Sequence, residues 1–392
     1  MADPSPNPTM FRLLWGLVAL LVVVALGVGL WVWQAGGPGG LSEDIFDRET
    51  LDAAWMADPQ QVDAGTSLGL KPGLRSAEVV VPNRPHELEE APTPEMLERF
   101  KRRRQFSITT DERGLRRQDV GRGKSISEYE VPASVGRILC VGASISLGWG
   151  VSYEKSYPAI LSELLGVEVI NAGAPAGEPS GLARWVEAQG GLLDSDLVIF
   201  LSRPDYPAPR PHQAFEQAVG RMVEAVSPAK LLVVLPPLST FDTQQLALER
   251  LYPRVPDAVG ADAALIKKTL GSVPVLELTP AFRSAAQRTM AKPGETLVWL
   301  ERAGSEHRLV RLPMRDIYRR ASAPEVVADG MDGWIHPDAM AVAPELVQAF
   351  EEDLKLREPL FFDGGHPDAE GYALMAREVA HWLRQNGWVP GE

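Results

Sequence analysis

Residues 137–151 read RILCVGASISLGWGV, an apolar run that changes to glycine and serine at Gly142. The apolar run is typical of a buried strand, and the change predicts that this strand ends in a functional turn. Ser144 then has two interpretations. It is a nucleophile presented at the end of a strand, or a small polar residue that begins a helix.

Strand-like and helix-like segments alternate from about residue 106, and this order predicts the fold class. The apolar strand candidates are 137–142, 167–173, 196–202, 230–237 and 273–279, with stretches of helical spacing at 157–166, 181–193, 212–226 and 243–252. Apolar strands that alternate with helices indicate a parallel sheet covered on both faces. We therefore expect a three-layer α/β/α sandwich with a five-stranded parallel sheet.

Polar residues follow three of these strands. Ser144 follows the first strand, residues 171–177 follow the second, and Asp205 follows the third. Ligands of such folds bind beyond the carboxyl ends of the strands. The three turns are therefore expected to meet at one edge of the sheet.

Composition limits the partners and cofactors. The net charge of −13 argues against nucleic acid or an anionic lipid surface as the main partner. The single cysteine, Cys140, lies in an apolar run and predicts a buried thiol, with neither a disulfide framework nor a cysteine-rich metal site. No His, Asp, Glu and Cys residues have metal-ligand spacing, and G-W-G at 148–150 lacks the spacing of a dinucleotide site. We expect neither a metal nor another cofactor.

Residues 11–33, FRLLWGLVALLVVVALGVGLWVW, carry no charge after Arg12 and predict a transmembrane helix. At about 1.5 Å per residue they can cross a hydrocarbon core of about 30 Å. The alternative, a cleaved signal peptide, usually has an apolar region of about 7–15 residues, and no A-x-A site follows here. Because Arg12 and the α-amino group lie on the short N-terminal side, residues 1–10 are expected in the cytoplasm. The remaining chain is then extracytoplasmic, or periplasmic in a bacterium.

The rest of the chain divides into three parts by pattern. Residues 34–105 are rich in Pro and Gly and predict a linker, with one short helix at 94–105. Residues 106–392 form the predicted α/β domain. Within it, 295–358 reads as an insertion that begins with two strands, at 296–314, around a Gly-Ser turn.

A serine hydroxyl needs a base to remove its proton, and a third group that fixes the base's tautomer. His366 has Asp363 three residues before it, in a Gly-containing turn ahead of the last predicted helix. The carboxylate can then reach Nδ1 and leave Nε2 to face Ser144. Asp332 and His336 form a similar pair, which we assign to the insertion loop. His212 and His381 lie on or at the start of predicted helices, and we expect both to be solvated.

The first and last of these motifs resemble those of a known family. GASISLGWGV (142–151) resembles the opening block, GDSxTxGxGV, of the SGNH/GDSL hydrolase superfamily, and DGGHP (363–367) resembles its last block. In that family the serine is the nucleophile, and the aspartate and histidine complete a triad. The resemblance implies these roles for Ser144, Asp363 and His366, and it implies a flavodoxin-like fold.

Two internal segments resemble the blocks that bind the oxyanion. VINAGAPAG (169–177) resembles the second block, and SRPD (202–205) stands in place of the third, G-x-N-D. The resemblance implies oxyanion or substrate contacts at Ala176 or Gly177, Arg203 and Asp205. FSITTDERGLR (106–116) resembles the strand and GxR turn that precede this domain in many extracytoplasmic members. In all, the resemblance covers roughly residues 106–290 and 357–388.

The sequence departs from the family pattern at three positions. Ala143 replaces the aspartate of GDS, and the glycine of the second block falls one residue late, at Gly177 instead of Ala176. Pro204 replaces the asparagine of the third block and has neither a backbone N–H nor a side-chain donor. Losing one such donor typically lowers the rate by about 10²–10³. Such a loss would slow an esterase without abolishing it, and Arg203 is the candidate substitute.

Three functions are compatible with these features. The first is a membrane-tethered serine esterase that removes O-acyl groups from envelope glycans or lipids. The second is an O-acyltransferase that uses the same site. The third is a catalytically weak module that binds glycans or envelope-assembly proteins, a reading favoured by Ala143 and Pro204.

Overall fold

The structure is a computed structural model, and it describes most of the chain after residue 54. The described residues are 55–57, 61, 65–80, 105–117, 136–175, 177–205, 210–239, 248–249, 251–289, 291–303, 306–321, 356, 359–361 and 365–389. They belong to one compact unit, Ala53–Glu392. The predicted transmembrane segment 11–33 lies outside them. None of the helices within the described ranges is long and apolar enough to span a membrane.

One sheet organises this unit. Its strands are β1 (Ala77–Val80), β2 (Gln105–Thr110), β3 (Arg116–Arg117), β4 (Ile138–Gly142), β5 (Val169–Gly173), β6 (Leu197–Leu201), β7 (Lys230–Leu235) and β8 (Val275–Glu277). They lie in the order β1-β2-β3-β5-β4-β6-β7-β8. Strands β5, β4, β6, β7 and β8 are parallel, and a five-stranded parallel sheet is what the sequence predicts. Strands β1, β2 and β3 extend the sheet in antiparallel pairs.

Helices cover both faces of the sheet. The helices before the hairpin described below are α1 (Ser144–Leu147), α2 (Tyr157–Leu165), α3 (Pro179–Gln189), α4 (Pro211–Val226), α5 (Ala258–Leu270) and α6 (Thr279–Ala286). Two core clusters show the layers: buried side chains of α3, α4 and α5 pack on one face, and those of α2 and α6 on the other, joined there by buried residues of 372–383. The observed architecture is a three-layer α/β/α sandwich.

Alternation along β4 shows why the strands are apolar throughout. Leu139 and Val141 belong to one core cluster, whereas Ile138 and Cys140 belong to the other. Successive side chains of a strand point to opposite faces, so a strand covered on both sides buries every residue. Each fully buried aliphatic side chain stabilises the fold by about 1.5–3 kcal/mol.

Cys140 is the only cysteine of the chain, and it is buried as the sequence predicts. Its side chain lies in the core between β4 and the helices, with Tyr157 beside it. Burial raises the pKa of the thiol to about 12. The thiolate, which is the reactive form, is therefore suppressed at neutral pH.

Part of the predicted linker belongs to the folded unit, and here the structure differs from the prediction. β1 pairs with β2, and Met56 forms a bridge with Leu70. Trp55, Leu70 and Val79 are buried. These apolar residues are too widely spaced to form a helical or strand pattern, which is why the sequence reads as a linker. Residues 94–104 of the predicted short helix lie outside the described residues, and Gln105 begins β2.

The insertion begins as predicted, with a hairpin of β9 (Thr296–Ala303) and β10 (Glu306–Pro313). Helix α7 (Met314–Ala321) follows, and α8 (Ala369–Gln385) closes the domain. The pair formed by Asp332 and His336 lies outside the described residues. So does most of the predicted helix 243–252, of which residues 248, 249 and 251 are helical.

Candidate active site

Ser144 is the first residue of α1, directly after β4 at the carboxyl edge of the sheet. Gly173, at the end of β5, lets α1 approach this edge closely: a Cβ atom there would lie only 2.0 Å from the Leu147 nitrogen. Gly148 ends α1 with φ +82°, a left-handed conformation that glycine adopts without strain. Gly173 and Gly148 thus allow the tight turn that carries Ser144.

His366 faces Ser144 across 222 residues of sequence, with its Nε2 atom 2.8 Å from Ser144 Oγ. The loop that carries His366 is fixed on both sides. Phe361 and Pro367 form an isolated bridge, and Asp368 caps α8 by accepting a hydrogen bond from the Gly371 N–H at 2.8 Å. The distance and the atoms are those required for a base that removes the serine proton. Asp363 lies outside the described residues.

Trp149 forms an aromatic wall beside His366, with ring centroids 6.2 Å apart. The indole is buried and also packs against Phe106 at 5.3 Å and Trp55 at 6.0 Å. The Tyr372 hydroxyl donates to the Trp149 carbonyl at 3.1 Å. The wall behind the histidine is therefore built by β2, α8 and the segment around residue 55.

We call residues 55–57 and 65–70 the N-terminal strap. Trp55 packs on Trp149, and at its other end a Cβ added to Gly69 would lie 3.3 Å from Pro175 Cδ, in the loop after β5. The strap thus contacts both the wall beside His366 and the loop that the family resemblance assigns to the oxyanion.

The loop after β5 is held by Asn171. Its Oδ1 accepts the Gly173 N–H at 3.0 Å, and its Nδ2 donates to the Leu147 carbonyl at 3.3 Å. Gly177 packs closely on α3, since a Cβ there would lie 2.8 Å from Leu182 Cδ2. Ala176, the other predicted oxyanion contact, lies outside the described residues.

Arg203, expected to replace the missing third-block asparagine, is engaged elsewhere. Its side chain is 1% exposed, and Nη2 donates to the Glu277 carboxylate at 2.5 Å. Nη1 lies 3.5 Å from Asp262 Oδ2, and Nε donates to the Pro236 carbonyl at 3.2 Å. Two carboxylates therefore attract the guanidinium into the protein interior, which differs from the expectation of an oxyanion donor.

Asp205 lies at the end of the same loop, as the sequence places it. Although its side chain reaches solvent, partial burial raises the pKa of its carboxyl. Glu178, at the start of α3, also has a raised pKa, first because of burial and second because of the Asp205 charge. The loops after β5 and β6 thus bring two carboxyl groups into electrostatic contact.

His212 is a further difference from the sequence, which predicts a solvated histidine. Its Nε2 lies 2.8 Å from Oδ1 of the fully buried Asp262, on the neighbouring helix α5. Asp262 is thus shared between His212 and Arg203. His381, also predicted to be solvated, is exposed on α8.

Arg116 is the residue of the site that the sequence does not reveal. It is 1% exposed, and its guanidinium reaches the carbonyls at the end of α1. The signal was present as the arginine of the GxR turn. Arginine is usually exposed, however, so a fully buried one is not expected from sequence.

No protein-family model matches the sequence, and no curated protein is similar to it. Three solved structures resemble the chain at a TM-score of 0.36. They are a lipolytic protein of the G-D-S-L family from Desulfitobacterium hafniense DCB-2 (16% identity, 62% of this chain and 98% of that chain), a lipase/acylhydrolase from Enterococcus faecalis (14%, 64% and 96%) and LAE5, an alpha/beta hydrolase enzyme from the metagenome of Lake Arreo, Spain (14%, 65% and 97%). At this level of similarity, the argument for function comes from the site itself.

Proposed function

We propose that the protein is a serine hydrolase of the SGNH type, an esterase tethered to a membrane by residues 11–33. The observation that carries this proposal is the 2.8 Å distance between Ser144 Oγ and His366 Nε2. A serine at the carboxyl edge of a parallel sheet, with an imidazole in hydrogen-bonding distance, is the arrangement of an activated nucleophile.

In the proposed reaction, Ser144 Oγ attacks the carbonyl carbon of an ester while His366 Nε2 takes the hydroxyl proton. The tetrahedral intermediate collapses when the C–O bond to the alcohol breaks, and the imidazolium returns its proton to that alcohol. Water then attacks the acyl-enzyme with His366 as base, which releases the acid and restores Ser144. Asp363 is the group proposed to hold the imidazole in the required tautomer.

Backbone amides are the proposed donors to the oxyanion. The Ser144 N–H belongs to the first turn of α1, where N–H groups have no partner within the helix. Gly177 or Ala176 would supply a second amide. Pro204 supplies none, and Arg203 is paired with Glu277 and Asp262. We therefore expect an esterase with a smaller set of donors than the family pattern provides.

The proposed tether suggests the substrate class. With the catalytic unit outside the cytoplasm, the esters within its reach are O-acyl groups on envelope glycans or lipids. Transfer of the acyl group to a sugar hydroxyl would use the same acyl-enzyme. Product analysis with an acyl donor, with and without a glycan acceptor, separates hydrolysis from transfer.

A specific observation favours a second candidate, a module that binds glycans or assembly proteins with little catalysis. The guanidinium of Arg203 is buried and paired with Glu277 and Asp262. The loop after β6 therefore offers neither the family's asparagine nor a replacement cation. In this case the serine and histidine would be present while the transition state is poorly stabilised.

A fluorophosphonate probe tests the proposal because it reacts only with an activated serine. We expect the wild-type chain to be labelled at Ser144, and Ser144→Ala and His366→Ala to lose labelling by at least about 10³-fold. Ser146→Ala is the matched control, since Ser146 is a buried serine of the same helix whose hydroxyl contacts Tyr157. A folded wild type that reacts no faster than Ser144→Ala would disprove the esterase and leave the binding module.

A further inference from the structure

We propose that Arg116 is a positioning residue for Ser144: its guanidinium, buried among main-chain carbonyls, holds the end of α1 so that the start of α1 presents the nucleophile. This inference rests on the proposed function for its catalytic meaning. The contacts that support it belong to the fold and do not depend on the reaction.

The guanidinium donates to four carbonyl groups. Nη1 donates to Leu147 at 2.6 Å and to Gly148 at 2.7 Å, while Nη2 donates to Val151 at 2.7 Å and to Ser107 at 3.2 Å. Three of these acceptors lie in the seven residues that follow Ser144. One side chain from β3 therefore contacts the turn that follows Ser144 at three positions.

The packing around the guanidinium is specific to this geometry. A Cβ atom at Gly148 would lie 3.0 Å from Arg116 Nη1, so glycine leaves the space in which the guanidinium fits. The Phe106 ring lies on one side, with its centroid 5.4 Å from Arg116 Cζ. Burial lowers the pKa of Arg116 to about 10, partly offset by the charges of nearby groups, the largest effect being that of Tyr372. Burying the charged guanidinium at this position is therefore energetically unfavourable.

The reach of the effect follows from the length of α1. The helix has four residues, so it is about 6 Å long at about 1.5 Å per residue. Its last carbonyls have no partner within the helix. Asn171 Nδ2 also donates to the Leu147 carbonyl, at 3.3 Å. In so short a helix, a shift at Leu147 moves the Ser144 hydroxyl and its N–H together.

Arg137 provides the contrast that separates positioning from general stabilisation. It is a partly buried arginine, which pairs with Glu168 at 2.6 Å and donates to the Leu193 carbonyl at 2.8 Å. It precedes β4, at the edge of the sheet opposite Ser144. Substitution there disturbs the same strand without touching the nucleophile turn.

The test compares Arg116→Lys with Arg137→Lys. Lysine keeps the charge but carries one ammonium group, which cannot reach carbonyls on both sides of the turn. For Arg116→Lys we expect the rate of Ser144 labelling by fluorophosphonate, per folded molecule, to fall about 10- to 100-fold, as for a small misplacement of a reacting group. For an ester substrate, kcat should fall with little change in KM. Arg137→Lys should keep the wild-type labelling rate, with folding of both variants measured by urea unfolding.

A second variant covers the case in which Arg116→Lys does not fold. Asn171→Asp removes the donor to the Leu147 carbonyl while keeping the acceptor for the Gly173 N–H, and we expect a smaller fall in labelling, about 3- to 10-fold. Unchanged labelling per folded molecule in the folded Arg116 variant overturns the inference, as does an equal fall in Arg137→Lys. If Arg116→Lys does not fold, unchanged labelling in Asn171→Asp overturns it.

Amide hydrogen exchange separates this inference from the proposed function. If the wild type is not labelled at all, the esterase is wrong but the positioning role is still tested. Faster exchange at residues 144–148 in Asn171→Asp or Arg116→Lys, with unchanged exchange there in Arg137→Lys, supports it. Unchanged exchange at 144–148 in these variants rejects it.

Discussion

Two buried arginines flank the central strands, and they are held in opposite ways. In the order β3-β5-β4-β6, Arg116 belongs to β3 and Arg203 follows β6. Arg116 donates its hydrogen bonds to neutral carbonyls, whereas Arg203 faces the carboxylates of Glu277 and Asp262.

A buried arginine therefore has one of two distinct roles in this fold. A charge-compensated arginine joins distant elements, as Arg203 joins the loop after β6 to β8 and α5. An arginine among carbonyls instead shapes a local turn, and three of the four bonds of Arg116 hold the turn that carries Ser144. We therefore expect Arg203 to govern the stability of the fold and Arg116 to govern the activity of Ser144.

Arg203→Met should show the largest loss of stability among the variants that test this difference. Removing the cation leaves two buried carboxylates without it, which typically costs about 3–5 kcal/mol. We expect the free energy of unfolding to fall by that amount in urea, with labelling at Ser144 retained in the folded fraction. Arg116→Met leaves only neutral carbonyls unpaired, so its loss should be smaller, about 1–3 kcal/mol. Equal losses would refute the distinction.

His212→Ala tests the same ion pairs through the carboxylate of Asp262. It removes a hydrogen bond to Asp262, whose other oxygen still faces Arg203. We expect a loss of about 1–2 kcal/mol in the free energy of unfolding, since one hydrogen bond to a charged group is lost. His381→Ala, at an exposed position on α8, is the control and should change stability by less than about 0.5 kcal/mol. A His212 variant as stable as the control would show that the cluster is complete without the imidazole.

Asp205→Asn should change the free energy of unfolding least, and it should raise it where the preceding variants lower it. The folded state raises the pKa of Asp205, so folding favours the protonated carboxyl and ionisation opposes folding. The wild type should therefore lose stability as pH rises from about 4 through the raised pKa, and Asp205→Asn should not. We expect the variant to be more stable at pH 7, by less than about 1 kcal/mol because Asp205 is partly solvated. The gain should vanish below about pH 4 in urea unfolding, and a variant less stable than the wild type at pH 7 would contradict the prediction.

The parallel part of the sheet was predictable because its strands are buried on both faces and read as continuous apolar runs. Of the antiparallel strands only β2 was expected, from the family resemblance of 106–116, whereas β1 and β3 were not. β3 has two residues, and β1 has four and lies in a segment rich in Pro and Gly. Pairing with β2 and β5 creates these strands, and pairing across long sequence separations leaves no local pattern.

The site divides in the same way. Ser144 and His366 stand in short motifs, and the structure brings them together as those motifs suggest. Arg203 was placed in the correct loop, but its partner Glu277 is 74 residues away, and nothing local indicates the ion pair. The carbonyl acceptors of Arg116 are main-chain atoms, which carry no sequence signal at all.

The buried thiol of Cys140 has a practical consequence. Because the chain has no other cysteine and burial raises the pKa of this one to about 12, the folded protein offers no reactive thiol. A cysteine introduced at an exposed position such as Leu251 would then be the single point of attachment for a maleimide dye. The native sequence is thus already suited to site-specific fluorescence, without removal of any residue.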